Sequence, residues 1–371
     1  IGLHKISLKK YLYLIDLIMY GLAKHLLFKA DPEVLHDLVL KVGSKIGNKK
    51  LVKSALKALY DFEDEMLHIN LFGREFRNPV GLAAGFDKNG ELIELFPYLG
   101  FGFAEIGSVT AKPSKGNPKP RIFRLTEDEA LINRMGLNNY GAEAVAEKLS
   151  GKRFEMPVGI NLAKTPEIMG KPGVEDFLYS FERLYPLGDF TVLNISCPNT
   201  KDGKTFEDKE ALDELLESLS ELRENFNKPL LIKISPDLSY KALDDILEVS
   251  KEHKIDGYVI CNTTTQRCNL KTDEERVKKI GYGGLSGKPI KDRATELIRY
   301  VYSQSDDEII IGVGGIFSAE DAYEKITAGS SLVELFTGLV YKGPGVVKKI
   351  NKDLTNILEK EGFSKIEEAV G

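Results

Sequence analysis

Eight short apolar runs follow residue 67, separated by stretches patterned for helix. The runs are Val80–Ala84, Phe103–Gly107, Val158–Leu162, Phe190–Ile195, Leu230–Ile234, Gly257–Cys261, Ile309–Val313 and Leu332–Phe336. Predominantly apolar runs of this length suit strands of a parallel sheet that is covered on both faces. Between them lie amphipathic segments such as Leu212–Phe226, Lys241–Lys254 and Ala319–Ala328. Eight βα units in about 270 residues predict a (β/α)8 TIM barrel, an α/β fold. A doubly wound open sheet is the competing arrangement. Ahead of the first run, His68–Leu71 and Glu75–Arg77 flank Gly73 and predict a short hairpin.

Residues 1–60 have a different pattern. Tyr11–Phe28 is apolar almost all round, interrupted by Asp16, Lys24 and His25. A spanning helix needs roughly 20 mostly uncharged residues, so this one is marginal. No small-residue cleavage site follows it, so it does not match a signal peptide. Asp31-Pro32-Glu33 marks a second helix start, with Asp31 as N-cap and Pro32 in the first turn. Val34, Leu35, Leu38, Val39 and Val42 give that helix one apolar face. We therefore expect an N-terminal helical hairpin over 1–60 and a catalytic barrel over 61–371. The hairpin either lies on a membrane or packs as a core pair on the barrel.

Charge sharpens this choice. The 371-residue chain carries −5 overall. Residues 1–60 hold eleven lysines against Asp16, Asp31, Glu33 and Asp37, a local +7 that leaves −12 for the rest. A basic, apolar segment on an acidic body suits an anionic lipid bilayer surface, and no nucleic acid is expected as a partner. With 42% hydrophobic and 29% charged residues, the composition excludes a disordered chain. Cys197, Cys261 and Cys268 cannot build a disulfide framework, and no CxxC pair or Cys/His cluster offers a metal site. A reducing compartment follows.

In a TIM barrel the chemistry sits at the C-terminal ends of the strands. Polar residues gather there. Ala83-Ala84-Gly85 ends the first run, followed by Asp87-Lys88, and Gly107-Ser108 ends the second. Asn161, Asn194, Ser196-Cys197-Pro198-Asn199, Lys233 and Cys261-Asn262-Thr263-Thr264 mark later runs, and Asn133 lies on the loop after the second. Neutral amides both donate and accept, so Asn133, Asn194, Asn199 and Asn262 could bracket a planar ligand with imide-like edges. Gly312-Val313-Gly314-Gly315 and Phe336-Thr337-Gly338 close the last two units, where this fold commonly holds a phosphate. No GxGxxG fingerprint is present, so a mononucleotide fits better than NAD. Lys88 and Lys233 could anchor a carboxylate or offset charge on a reduced flavin. Cys197 could act as a base if its surroundings lowered its pKa.

Several ordered motifs carry a family resemblance. Asn78–Gly90 (NPVGLAAGFDKNG), Glu105–Thr110 (EIGSVT), Gly116–Leu125 (GNPKPRIFRL), Ile132–Asn138 (INRMGLN), Asn194–Thr200 (NISCPNT), Ile232–Leu238 (IKISPDL), Gly283–Pro289 (GGLSGKP) and Ile311–Ile316 (IGVGGI) resemble dihydroorotate dehydrogenases. The likeness covers roughly residues 30 to 371. It implies oxidation of dihydroorotate to orotate in pyrimidine synthesis, with FMN as cofactor and no metal. FMN would lie against Ala83, Ala84, Gly85, Ser108, Asn161, Asn194, Lys233, Cys261, Gly287, Gly315, Phe336 and Thr337. The substrate would lie against Lys88, Asn133, Arg134, Met135, Gly136, Leu137, Asn194, Asn199, Asn262 and Thr263. Cys197 falls where the family keeps its base, which takes the C5 proton while a hydride leaves C6 for the flavin.

Members with an N-terminal helical extension are similar in length and reduce a membrane quinone. Asp31–His36 (DPEVLH) looks like their second helix, which implies that His36 and Arg124 line a quinone tunnel between hairpin and barrel. The expected location is then peripheral on the cytoplasmic side of a bacterial inner membrane, or on the mitochondrial inner membrane. The former is favoured because no Arg-rich, acid-poor presequence is visible.

Four positions depart from the quinone-type pattern. Cys197 replaces a serine base and is the choice of soluble members, Leu137 stands for phenylalanine, Phe336 for tyrosine, and Cys261 for Thr or Ser. The competing functions are a soluble-type enzyme using fumarate or NAD, a flavin-binding membrane protein without catalysis, and a phosphate-binding isomerase on the same barrel.

Overall fold

The computed structural model describes residues 20, 24, 26–168, 172–195 and 206–371. Most of the expected first helix, together with Cys197 and Asn199, lies outside these residues. Strands β1 (Ile69–Leu71) and β2 (Arg74–Phe76) pair antiparallel, with Ile69 opposite Phe76, as the Gly73 turn predicts. Phe76 meets Phe103 edge to face, so this hairpin packs where the second barrel strand begins.

The barrel strands are β3 (Val80–Leu82), β4 (Phe103–Val109), β7 (Val158–Leu162), β8 (Phe190–Asn194), β9 (Leu230–Ile234), β10 (Gly257–Ile260), β12 (Ile309–Val313) and β13 (Leu332–Leu335). They close in chain order, β13 pairing with β3, and every pairing is parallel. Each corresponds to one expected run. Four of the strands end before their apolar runs do: Ala83, Ile195, Cys261 and Phe336 lie just beyond strand ends, where the backbone turns into the site loops. Helices expected at Leu212–Phe226, Lys241–Lys254 and Ala319–Ala328 occur as Lys209–Phe226, Tyr240–Glu252 and Ala319–Ile326.

One sheet had no counterpart in the sequence reading. β5 (Ile122–Leu125), β6 (Ala130–Asn133) and β11 (Gly284–Gly287) form an antiparallel sheet with β6 at its centre. Its strands are four residues each and come from two distant insertions, so no local period announces them. The sheet stands beside the barrel mouth and carries Arg124 and Asn133.

Before the barrel come α1 (Pro32–Ile46) and α2 (Lys50–Tyr60). Asp31 caps α1 as expected, accepting from Glu33 N at 2.8 Å and Val34 N at 3.0 Å. The side of α1 that meets the barrel bears Glu33, His36, Leu40 and Gly43. A Cβ on Gly43 would fall 2.5 Å from Leu92 Cδ2, so any larger residue there would have to displace the Leu92 side chain. The apolar stripe expected from the sequence divides: Val34 (62% exposed), Leu38 (53%) and Val42 (44%) face outward, whereas Leu35 and Val39 border an interior cavity. Among the described residues, no helix is long and apolar enough to cross a membrane.

Candidate active site

The barrel strands bring four polar side chains to the centre: Glu105 from β4, Asn161 from β7, Lys233 from β9 and Glu334 from β13. All are buried. Glu105 Oε1 accepts from Asn161 Nδ2 at 2.6 Å and from Lys233 Nζ at 3.1 Å. Burial alone would lower the Lys233 pKa, but Glu105 and Glu334 outweigh it and hold the ammonium above its usual value. Burial, reinforced by the Glu105 charge, pushes Glu334 well above the ordinary carboxylate range. Glu334 is therefore biased toward its neutral form, which lessens the negative charge gathered around Lys233. Asn161 Oδ1 and Glu105 Oε2 remain buried without a protein hydrogen-bond partner.

Above this centre lies a ring of neutral amides and hydroxyls. Asn194 Nδ2 donates to Ser108 Oγ at 3.0 Å, and Asn262 Nδ2 donates to Asn194 Oδ1 at 3.2 Å. Asn262 Oδ1 accepts from Thr263 N at 2.9 Å. Lys88 Nζ donates to Gly85 O at 2.7 Å. Burial and then the Arg121 charge lower the Lys88 pKa to about 8. Cys261 is the opposite case: burial raises its thiol to about 12, so it lines the site as an inert neutral group. Beyond β12, Gly314 and Gly315 have φ of 111° and 75°. A Cβ on Gly315 would lie 2.4 Å from Lys291 Cβ. Consecutive backbone amides in such a turn form an anion-binding concavity.

A single cavity of about 540 Å³ runs from this polar ring to α1. Its far wall is apolar, with Leu27, Phe28, Leu35, Val39 and Val340. Rings join the two ends: Phe86 meets Phe336 with centroids 5.4 Å apart and His36 at 4.9 Å, both edge to face. Arg124 Nη1 donates to Ala30 O at 2.8 Å and Phe28 O at 3.3 Å, while its Nε is buried without an acceptor. Tyr20 closes the far wall by donating to Val340 O at 2.8 Å.

Most of the expected site residues meet here. Ala83, Ala84, Gly85, Lys88, Ser108, Asn133, Met135, Gly136, Leu137, Asn194, Lys233, Cys261, Asn262, Thr263, Gly287, Gly315, Phe336 and Thr337 line the cavity, as do His36 and Arg124. Arg134 does not. Its guanidinium donates to Ile280 O and Tyr282 O and lies over the Phe123 and Tyr282 rings, away from the cavity. Asn161 sits behind the wall on Glu105. Cys197 and Asn199 lie outside the described residues. Glu105, Glu334 and Phe86 were not singled out from the sequence. For Glu334 the signal was available: it is the one charge inside the apolar run Leu332–Phe336.

Comparison with known proteins gives this geometry a context. The family model described as dihydroorotate dehydrogenase matches residues 66–358. The chain is 44% identical over 354 residues to a dihydroorotate dehydrogenase (quinone) of Gloeobacter violaceus, covering 95% of this chain and 98% of the relative. It is 43% identical over 353 residues to one of Haloarcula marismortui, at 95% and 98% coverage. A crystal structure of DHODH from Eimeria tenella in complex with ferulenol superposes with a TM-score of 0.82 at 34% identity, covering 92% of this chain and 95% of that one. The barrel, its N-terminal helices and these matches together make the chain a member of the dihydroorotate dehydrogenase family.

Proposed function

We propose that this protein oxidises dihydroorotate to orotate in de novo pyrimidine (UMP) biosynthesis and passes the electrons through FMN to a membrane quinone. The observation that carries the proposal is the single cavity, polar at the barrel mouth and apolar at α1. It offers separate ends to a charged heterocycle and to a lipid-soluble acceptor.

The interior fits a flavin. Ser108, Asn194, Lys233 and Glu334, whose carboxyl oxygens are buried without a partner, face the cavity and can meet polar ring edges, and the Gly314–Gly315 turn offers amides to a phosphate. FMN would lie against Ala83, Ala84, Gly85, Ser108, Asn194, Lys233, Gly287, Gly315 and Thr337, with Cys261 and Phe336 as apolar lining. When bound, FMN supplies the acceptor for the C6 hydride and the redox link to quinone. Lys233, held charged, offsets negative charge in the interior. Lys88 anchors the substrate carboxylate, and Asn133, Asn194, Asn199 and Asn262 with Thr263 hold the ring edges, so the reacting atoms stay aligned. Met135, Gly136 and Leu137 wall the substrate from water. Cys197 removes the C5 proton. At the other end, Arg124 Nε is a free donor for a quinone carbonyl, and His36 borders the same space.

Residues 1–60 would form the membrane-associating unit and 61–371 the catalytic one. The exposed Val34, Leu38 and Val42, together with the basic N-terminal segment, support seating on an anionic bilayer as a peripheral protein. The face would be the cytoplasmic side of a bacterial inner membrane, with the mitochondrial inner membrane as the alternative.

The test is an anaerobic absorbance titration of the purified protein with dihydroorotate, followed by a short-chain quinone or fumarate. Bleaching reversed by quinone is the expected result. Reversal by fumarate alone would replace the acceptor, and bound flavin that never bleaches would overturn the reading.

A further inference from the structure

Arg121 lies between the two ends of the cavity without lining it. The residue is 6% exposed and all three of its guanidinium nitrogens are used. Nε donates to Glu33 Oε1 at 3.0 Å and Oε2 at 3.1 Å, and Nη2 donates to Oε1 at 2.8 Å. Nη1 turns the other way and donates to Lys115 O at 2.8 Å, Asn117 O at 3.0 Å and Met135 O at 3.4 Å. Glu33 belongs to the first turn of α1, flanked by the cavity-lining Pro32, Leu35 and His36. Met135 belongs to the segment whose Met135, Gly136 and Leu137 line the substrate end. One buried guanidinium therefore ties the acceptor wall to the substrate wall.

The rest of the contact is built to match. Asn117 N donates to Met135 O at 3.0 Å, and Asn117 Nδ2 donates to Arg134 O at 3.0 Å, so the two loops that Arg121 touches are stitched together. Lys119 reaches Glu33 Oε1 at 3.0 Å and Asp37 at 3.6 Å from outside. A buried guanidinium is tolerated only while its charge and its donors are satisfied. If α1 leaves the barrel, Arg121 loses its carboxylate and must reorganise toward water. The carbonyls of Lys115, Asn117 and Met135 then lose their common donor.

We infer that Glu33 and Arg121 are positioning residues that couple the seating of α1 to the order of the substrate-side loop, so that affinity for the heterocycle depends on the N-terminal helices being docked. This rests on the function proposed above. Linkage makes the effect reciprocal: orotate at one end favours a docked α1 at the other.

The experiment uses the FMN-loaded full chain. Orotate is titrated against the flavin absorbance band, without turnover, in wild type, Glu33→Gln and Arg121→Lys. Amide exchange is followed in parallel over residues 114–137. Both variants should keep their flavin, bind orotate roughly fivefold or more weakly, at the low end of typical coupling, and exchange faster over that segment. At saturating dihydroorotate the bleaching rate should stay near wild type, so that KM moves and the limiting rate does not. Should the neutral variant lose flavin, Glu33→Asp carries the test, since it keeps the charge and shortens the arm. Unchanged orotate affinity and unchanged exchange, with slower quinone reoxidation alone, would make Glu33 an anchor of α1 and overturn the coupling. A wild type that bleaches with dihydroorotate while the variants bind orotate normally fails this inference only. A wild type that orotate does not perturb overturns the function and the coupling with it.

Discussion

His36 on α1 and Phe86 on the first barrel loop meet edge to face with ring centroids 4.9 Å apart, and Phe86 meets Phe336 in the same way at 5.4 Å. The contact seats the imidazole in an apolar wall. Burial, and then the Lys88 charge, lower the His36 pKa from 6.5 to about 4. The folded state therefore favours neutral imidazole, and the unfolded chain binds the proton first. Stability is then full above about pH 6.5 and declines as pH falls toward 4. A thermal-midpoint series across that window should show a slope in wild type that Glu or Asp titration alone does not explain, and His36→Gln should flatten it. An unaltered slope in the variant would remove His36 from the cause.

Lys88 makes a second pH prediction, of the opposite form. With its pKa lowered to about 8, the free site loses its cation above that pH, and a carboxylate ligand must bring a proton with it. Orotate affinity should hold steady below about pH 8 and fall up to about tenfold per unit above it. Lys88→Met should bind weakly at every pH with no such break. A flat wild-type profile to pH 9.5 would rule out the lowered lysine.

Cys197 carries the proton-transfer prediction. Cys197→Ala should leave FMN bound and slow flavin reduction by roughly 10²–10⁴, the usual contribution of a positioned base. Cys197→Ser should retain more activity, because an oxygen can take the proton where a methyl cannot. Near-normal reduction in the alanine variant, measured by stopped flow, would exclude this residue as the base.

The barrel centre predicts an asymmetry between two substitutions. With burial and the Glu105 charge biasing Glu334 toward its neutral form, Glu334→Gln should be nearly silent in flavin content and unfolding free energy. Lys233→Met leaves Glu105 buried without its cation and should cost about 3–5 kcal/mol along with much of the flavin. Chemical denaturation and the absorbance ratio of purified protein measure both. Equal losses in the two variants would mean that Glu334 is ionised.

The outward stripe of α1 predicts a membrane effect separable from chemistry. Replacing Val34, Leu38 and Val42 together by serine removes three apolar side chains, each contributing on the order of 1.5–3 kcal/mol if fully buried in lipid. Co-sedimentation with anionic vesicles should drop sharply, while dihydroorotate still bleaches the flavin. Unchanged sedimentation would place the contact with lipid elsewhere.

The sequence by itself determined the barrel and the chemistry at its mouth. A parallel strand covered on both faces needs a mostly apolar run, so Val158–Leu162, Leu230–Ile234 and Ile309–Val313 are legible to the residue even though Asn161 and Lys233 interrupt the first two. Side chains at and beyond the C-terminal ends of those runs are free to be polar, which is why Lys88, Asn194, Asn262 and Thr263 stand out. Tertiary structure alone decided three other matters. A helical period marks Val34, Leu38 and Val42 as one stripe but not what covers it. The barrel turned out to be held through Glu33, His36 and Gly43, so the stripe looks outward. Arg134 shares a motif with Asn133 and Met135, yet side chains on a short segment point to different sides, and two rings with two carbonyls hold it away from the cavity. Glu105 and Glu334 meet only because the barrel closes. Their shared proton balance is a property of low dielectric and proximity, which neither residue's local sequence contains.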